Sequence, residues 1–279
     1  TVLATKKALE MTEKLTKNDL LLFLVSGGGS ALFELPAQGV SLTELMAINN
    51  SLIRSGADIV EINTVRKHIS SVKGGRFAKL VSPAKIFSLV LSDVIGDRLD
   101  SIASGPAYPD SSTSQMSLDI LKKYKIDLSE NALRAVKKET PKTLDNVSSQ
   151  IIGNVKLLCE NAAKSAKKLG YNSKILSWSV GCEASQIADM LCSIARDSDF
   201  SKFSFKKPYA LILGGEPVVN VTGNGLGGRN QELVLKAAIK IKGFENTVVL
   251  SVGSDGTDGP TDAAGGIVDG NSFDEMVNC

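Results

Sequence analysis

The chain has 279 residues, with 32 Lys and Arg against 30 Asp and Glu, for a formal net charge of +2. That balance supplies neither the basic excess nor the charged stripe of a nucleic-acid-binding surface. With 43% hydrophobic and 22% charged residues the composition argues against disorder, and the longest apolar runs, such as Leu20–Val25, are too short to cross a bilayer.

The first stretch is amphipathic and lysine-containing, unlike a signal peptide. Because the sequence opens on Thr1 and stops at Cys279, a few residues into what reads as a new element, it is expected to be an internal piece of a longer protein. Leu20–Val25 (LLLFLV) is a continuous apolar run ending in SGGGS, the pattern of a strand buried on both faces of a parallel sheet. Residues 41–44 (SLTE) form a capping box before apolar Leu45, Ile48, Leu52 and Ile53, with Gly56 beyond the helix end. Residues 86–92 (IFSLVLS) repeat the strand pattern and end in Asp93.

Residues 139–150 are polar and contain Pro141, which predicts a loop. Residues 154–169 and 183–195 carry apolar stripes at helical spacing, the first stopped by Gly170. A second polar stretch, 197–208, sets a domain boundary near residue 206. Strands are predicted at 209–213 and 247–252, a half-polar strand able to form a mixed pair at 218–222, and a helix at 230–241. Strands alternating with such helices indicate an α/β fold with a largely parallel sheet. Cys159, Cys182, Cys192 and Cys279 make no CxxC and His68 is remote in sequence, so no zinc cluster is expected and the thiols read as reduced and intracellular. Trp178 and the methionines read as packing.

Glycines and small polar residues gather after the strands, where open α/β sheets bind ligands. Ser26, Gly27, Gly28, Gly29 and Ser30 are either a tight turn or a cradle whose backbone N–H groups receive a phosphate or carboxylate. Gly223, Gly225 and Gly228 fit G-x-G-x-x-G, with Gly227 between them; followed by Arg229 and Asn230, this favours an oxyanion site over a nicotinamide site. No GxxxxGK[ST] occurs. Asp255, Asp258, Asp262 and Asp269 suit Mg²⁺ held with substrate phosphate, or else turn formation and helix capping. Asp93, at a strand end, suits orientation of a substrate hydroxyl. Residues 63–76 concentrate Arg66, Lys67, His68, Lys73 and Arg76. Arg66, Ser70 and Lys73 are expected on one helix face, which is either solvated or set against an anionic substrate; His68 is expected to be structural.

LVSGGGSALFELP, INTVRKHISSVKGGR, LSDVIGDRLDSIASGP, LGGEPVVNVTGNGLGGRNQEL and SDGTDGPTDAAGGIVDG together resemble the type-2 glycerate kinases, over roughly residues 1–270. The resemblance implies a Rossmann-like domain, 1–206, and a smaller α/β domain with a mixed sheet of the MOFRL type, 207–279. It implies ATP-dependent phosphorylation of D-glycerate at the 2-hydroxyl, with ATP and Mg²⁺ as cofactors and small molecules rather than nucleic acid or membrane as partners. A homodimer stays open, as does a mitochondrial rather than cytoplasmic location, since a targeting segment would precede Thr1.

Carried over by position, residues 26–30 hold an anionic group, and Arg66 and Lys67 hold the glycerate carboxylate or nucleotide phosphates. Glu216, Gly225, Gly227, Gly228 and Asn230 line a phosphate site, Arg229 stabilises the transferred phosphoryl, and Asp255 or Asp258 helps hold Mg²⁺. Family members carry a further N-terminal segment with a Gly-Lys motif, and small hydroxyl residues where Pro217 and Val218 stand here. Some relatives have been labelled hydroxypyruvate reductases; that alternative would place a nicotinamide dinucleotide on GNGLGG. A non-catalytic metabolite-binding module would keep the glycine loops without the aspartates.

Overall fold

The computed structural model describes residues 1–92, 94, 96–197 and 206–278. The chain divides into two compact units, Thr1–Asn154 and Val155–Cys279.

In the first unit, α1 (Val2–Thr12) leads into β1 (Leu20–Val25) and the single turn α2 (Gly29–Leu32). Then come α3 (Leu42–Arg54), α4 (Ile59–His68), α5 (Arg76–Val81), β2 (Lys85–Leu91), the tight turn Ile102–Ser104, α6 (Ser114–Lys123), α7 (Glu130–Val136) and β3 (Val147–Gly153). The strands form one parallel sheet in the order β1-β2-β3, with Val25 opposite Val90 and Val90 opposite Ile151. Parallel pairing sends the loops after all three strands out of the same edge, which is what gathers the glycine-rich segments.

Two strand expectations are corrected by the structure. Leu20, Leu22 and Leu24 are 66%, 54% and 68% exposed, so β1 is covered on one face rather than two. It is an edge strand, and only its alternate residues turn inward: Phe23 stacks with Phe33 and Phe77 at centroid distances of 4.9–5.7 Å. β3 lies partly inside the expected polar loop, because Ser148 and Gln150 point to solvent while their neighbours turn in. The period of two was present but carried by serines.

A helical sub-core packs Leu45, Ile48, Leu52, Ile62 and Val65 with Leu121 of α6. Ser41 caps α3 by accepting the Glu44 N–H at 3.1 Å. The Glu44 carboxylate, however, accepts the Ser129 N–H at 3.2 Å, leaving half a capping box. The reciprocal box is Asp58 with Glu61, at the start of α4.

The second unit contains α8 (Val155–Lys168), β4 (Asn172–Val180), α9 (Ala184–Asp197), β5 (Tyr209–Gly215), α10 (Arg229–Lys240), β6 (Val248–Val252), β7 (Gly265–Asp269) and α11 (Ser272–Asn278). β4 pairs with β5 in parallel and β6 with β7 antiparallel. Because β4 pairs with β5, residues 155–197 pack with the C-terminal strands and helices, and the compact division falls after Asn154. Of the boundary loop, residues 198–205 lie outside the described residues. Segment 218–222 forms no strand; Val218 makes one bridge to Glu183. β7 occupies the glycine loop's end, where Gly266 lets the strand press on Val234 of α10: a Cβ there would meet the Val234 methyl at 2.6 Å. Ile187, Ala188 and Cys192 of α9 pack with Val234, Ala237 and Ile241 to form the core. Trp178 is half-exposed with Lys156 over its ring, and Met11 and Met46 are exposed, so these side chains do not serve the core.

Candidate functional site

In the first unit the C-terminal sheet edge gathers three segments the sequence singled out. Gly28 is left-handed at φ +79°, which turns the chain from β1 into α2. Gly29 lies so near the turn Ile102–Ser104 that an added Cβ would sit 2.7 Å from that of Ala103. Residues 103–105 are three consecutive left-handed positions, at φ +51°, +59° and +64°, two of them not glycine. Such strain persists only where surrounding contacts hold it. Here the Gly74 and Gly75 N–H groups donate to the Ser104 and Gly105 carbonyls at 3.0 and 2.7 Å.

A polar chain then runs from the glycine loop to α4. The Ser30 and Ser104 hydroxyls are 3.2 Å apart, and Ser104 donates to Asn63 Oδ1 at 3.1 Å. The same oxygen accepts from Arg66 Nη1 at 3.3 Å. Among the described residues no carboxylate lies within 4 Å of the half-buried Arg66 guanidinium, which stays charged although burial lowers its pKa and Glu34 raises it.

The other basic residues of 63–76 do different work, because α4 stops at His68 and the expected common face of Arg66, Ser70 and Lys73 does not form. Lys67, 4% exposed, is paired with Asp110 at 3.0 Å and Asp100 at 3.6 Å, a buried bridge rather than a free substrate ligand. Burial alone would raise the Asp110 carboxyl; Lys67 and Ser112 outweigh it and hold it below the ordinary range. Arg76 donates to the carbonyls of Lys67, His68 and Ser70 and closes the end of α4. Lys73 is fully buried under the glycine loop. Asp93 lies outside the described residues, and nothing is assigned to it. Asn63 and Ser104 were not singled out in the sequence, and Lys73, expected on a basic helix face, is instead buried; its position between Val72 and two glycines was a signal.

In the second unit, the start of α10 differs from a free oxyanion site. Asp258, 2% exposed, accepts the N–H groups of Asn230 at 3.0 Å and Gln231 at 2.8 Å, and their side-chain amides as well. The carboxylate therefore fills the helix N-terminus that an external phosphate would have used. Gly228 is needed for this: a Cβ there would sit 2.4 Å from Asp258. Gly223, Gly225 and Gly227 differ, since an added Cβ would meet nothing within 4 Å and none is left-handed. Among the described residues of this unit nothing requires glycine at those three positions. Arg229 forms a close ion pair with Glu216 rather than with Glu232, both side chains half-exposed, and reaches the Pro217 carbonyl at 3.5 Å.

The fit to Mg²⁺ is correspondingly narrow. All of Asp258's acceptor capacity faces internal donors, so it does not fit as a ligand. Asp255 is exposed and accepts from the Thr257 N–H and hydroxyl, both at 3.2 Å. Among the described residues no three His, Cys, Asp or Glu side chains converge. Nor is any described helix long and apolar enough to cross a membrane.

The chain thus carries two α/β units, the first built on a parallel sheet with strand-end glycine loops. Residues 1–137 match the family described as "Domain of unknown function (DUF4147)", and residues 209–279 match the MOFRL family. The D-glycerate 2-kinase of Thermotoga maritima is 56% identical over 272 residues, 98% of this chain and 65% of that protein. The glycerate kinase of Macaca fascicularis is 35% identical over 92% of this chain and 76% of its own. The crystal structure of glycerate kinase from Thermotoga maritima superposes with a TM-score of 0.92 at 55% identity, covering 99% of this chain and 67% of that one. The chain belongs to the glycerate 2-kinase family. It spans just under two thirds of the Thermotoga maritima relative.

Proposed function

We propose that the full protein transfers the terminal phosphoryl group of ATP to the 2-hydroxyl of D-glycerate. The observation that carries the reading is the 56% identity to a D-glycerate 2-kinase across both units. In this reading the Arg66 guanidinium, held by Asn63 and lacking a carboxylate of its own among the described residues, binds the glycerate carboxylate beside residues 26–30. The open glycines 223, 225 and 227 let nucleotide phosphate approach the backbone, and Arg229 leaves Glu216 to stabilise the transferred charge. Mg²⁺ would arrive with the nucleotide, taking at most an oxygen of Asp255, and would neutralise phosphate charge. Cytoplasmic residence and small-molecule partners belong to the same reading.

The reductase alternative is poorly served. A dinucleotide fingerprint needs a strand before the glycines and a free helix N-terminus after them. Residues 218–222 form no strand, and Asp258 fills the N-terminus. The test is an assay of the full protein with ATP, Mg²⁺ and D-glycerate, resolving 2- from 3-phosphoglycerate, beside NADH oxidation with hydroxypyruvate. ATP-dependent formation of 2-phosphoglycerate is expected; hydroxypyruvate-dependent NADH oxidation without it would overturn the reading.

A further inference from the structure

Lys73 stands in a sequence stretch that reads as a basic face, yet its side chain is completely buried. Its ammonium has three donors, and three backbone carbonyls receive them: Ser30 at 2.9 Å, Phe33 at 3.0 Å and Ala103 at 3.4 Å. The first two belong to the segment after β1 and the third to the left-handed turn. One side chain thus ties together two loops that are distant in sequence, the second of which holds the left-handed Ala103 and Ser104.

A simple buried ion pair does not describe this arrangement. The Glu34 carboxylate is 3.7 Å away and is itself engaged by the Ser70 hydroxyl at 2.5 Å. Glu34 and Arg66 are the charged groups that face the ammonium, one raising its pKa and the other lowering it. Burying an ammonium is costly unless its donors are matched, and here the matching partners are loop carbonyls. The tie extends outward, because Ser30 meets Ser104, Ser104 donates to Asn63, and Asn63 holds Arg66.

We propose that Lys73 is a positioning residue: by fixing the segment after β1 against the left-handed turn, it sets the Ser30–Ser104–Asn63 chain that orients Arg66 toward the carboxylate of the acid substrate. The inference rests on the glycerate reading for the identity of that substrate. The tie itself is independent of it. Lys73 touches no substrate, so its loss acts on binding geometry: KM for the acid rises while kcat moves less.

The test compares the full protein with its Lys73→Met variant by amide hydrogen exchange and by glycerate kinetics. Exchange should quicken at least tenfold in residues 26–34 and 101–106 while α8 keeps its protection, and KM for glycerate should rise at least tenfold with kcat within about threefold. Unchanged exchange in those two segments would overturn the tie. Faster exchange there with an unaltered KM would reduce Lys73 to a structural residue and overturn the positioning role. If the wild type turned over no glycerate, the functional reading would fall, and exchange would still confirm or overturn the tie. Should Lys73→Met not fold, Ser104→Ala cuts the chain while leaving the ammonium in place. It should raise KM for glycerate severalfold with segment 26–34 still protected; an unaltered KM would overturn the proposal.

Discussion

Asp258 accepts two hydrogen bonds from Asn230, one from its backbone N–H and one from its side-chain amide, both at 3.0 Å. The second carboxylate oxygen does the same for Gln231, at 2.8 and 3.1 Å. Burial would raise this carboxyl, but those donors outweigh it and lower its pKa. A carboxylate depressed in the folded state gives stability that is present above its ordinary pKa and is lost as pH falls through the folded value. Asp258→Ala should therefore lower stability by about 1–3 kcal/mol in urea unfolding near neutral pH, because it leaves buried helix-start donors unmet. Asp258→Asn keeps one acceptor and should lose less. The Mg²⁺ requirement of the Asn variant should match the wild type; a clear increase would mean that the carboxylate serves the metal after all.

The glycines of GNGLGG divide by what surrounds them. Gly228→Ala places a methyl group against Asp258, with 2.4 Å to its Cγ, and should lower the melting temperature by several degrees. Gly225→Ala meets nothing within 4 Å and should melt like the wild type. If phosphate approaches the loop backbone, that same variant should raise KM for ATP severalfold. A Gly225→Ala protein with normal stability and normal ATP kinetics would leave the open glycines without a ligand.

Lys73 also makes a prediction about pH that is separate from catalysis. Burial pushes its pKa down to about 8, with Glu34 holding it up in part. Between that value and its ordinary 10.5, the unfolded chain binds more protons at this site than the folded one. Raising pH through the window therefore adds stability through this group. The urea midpoint of the wild type should gain relative to Lys73→Met as pH is taken from about 7.5 to about 9.5. Glu34→Gln removes the supporting carboxylate and should bring the gain on at lower pH. Parallel pH profiles for wild type and Lys73→Met would show that the ammonium titrates as an ordinary lysine.

Continuous apolar runs made β1, β2, β5 and β6 legible, and apolar stripes did the same for α3, α8, α9 and α10. β3 and β4 were missed because VSSQIIG and NSKILSWSV place serines, glutamine or lysine on one face, so their alternation does not look apolar. The direction of the charges was harder. Arg66 and Lys67 are neighbours in sequence, yet one keeps a half-free guanidinium and the other is closed on Asp110. Only the long-range approach of residues 100–110 to α4 separates them. Asp258 could be read as cap or metal ligand until α10 was seen to begin on it.

Arg229 sits at the first position of α10, and its guanidinium is paired with Glu216 and the Pro217 carbonyl. The pair is 40% and 51% exposed at its two side chains, so it contributes less than about 1 kcal/mol to stability. Its partner is therefore cheap to exchange. A phosphoryl group carrying more charge than a single carboxylate would draw the guanidinium away, and a planar fork suits that charge better than an ammonium. Arg229→Ala should lower glycerate-dependent turnover by roughly a hundredfold or more, with the melting temperature within a degree or two of wild type. Arg229→Lys should recover little of the loss. Glu216→Gln frees the guanidinium without removing it, and should preserve turnover while lowering KM for ATP. Near-normal turnover in Arg229→Ala would leave the arginine as a surface pair. A loss of stability large enough to account for the lost activity would make its role structural, and the three variants measured together by steady-state kinetics and thermal unfolding separate these outcomes.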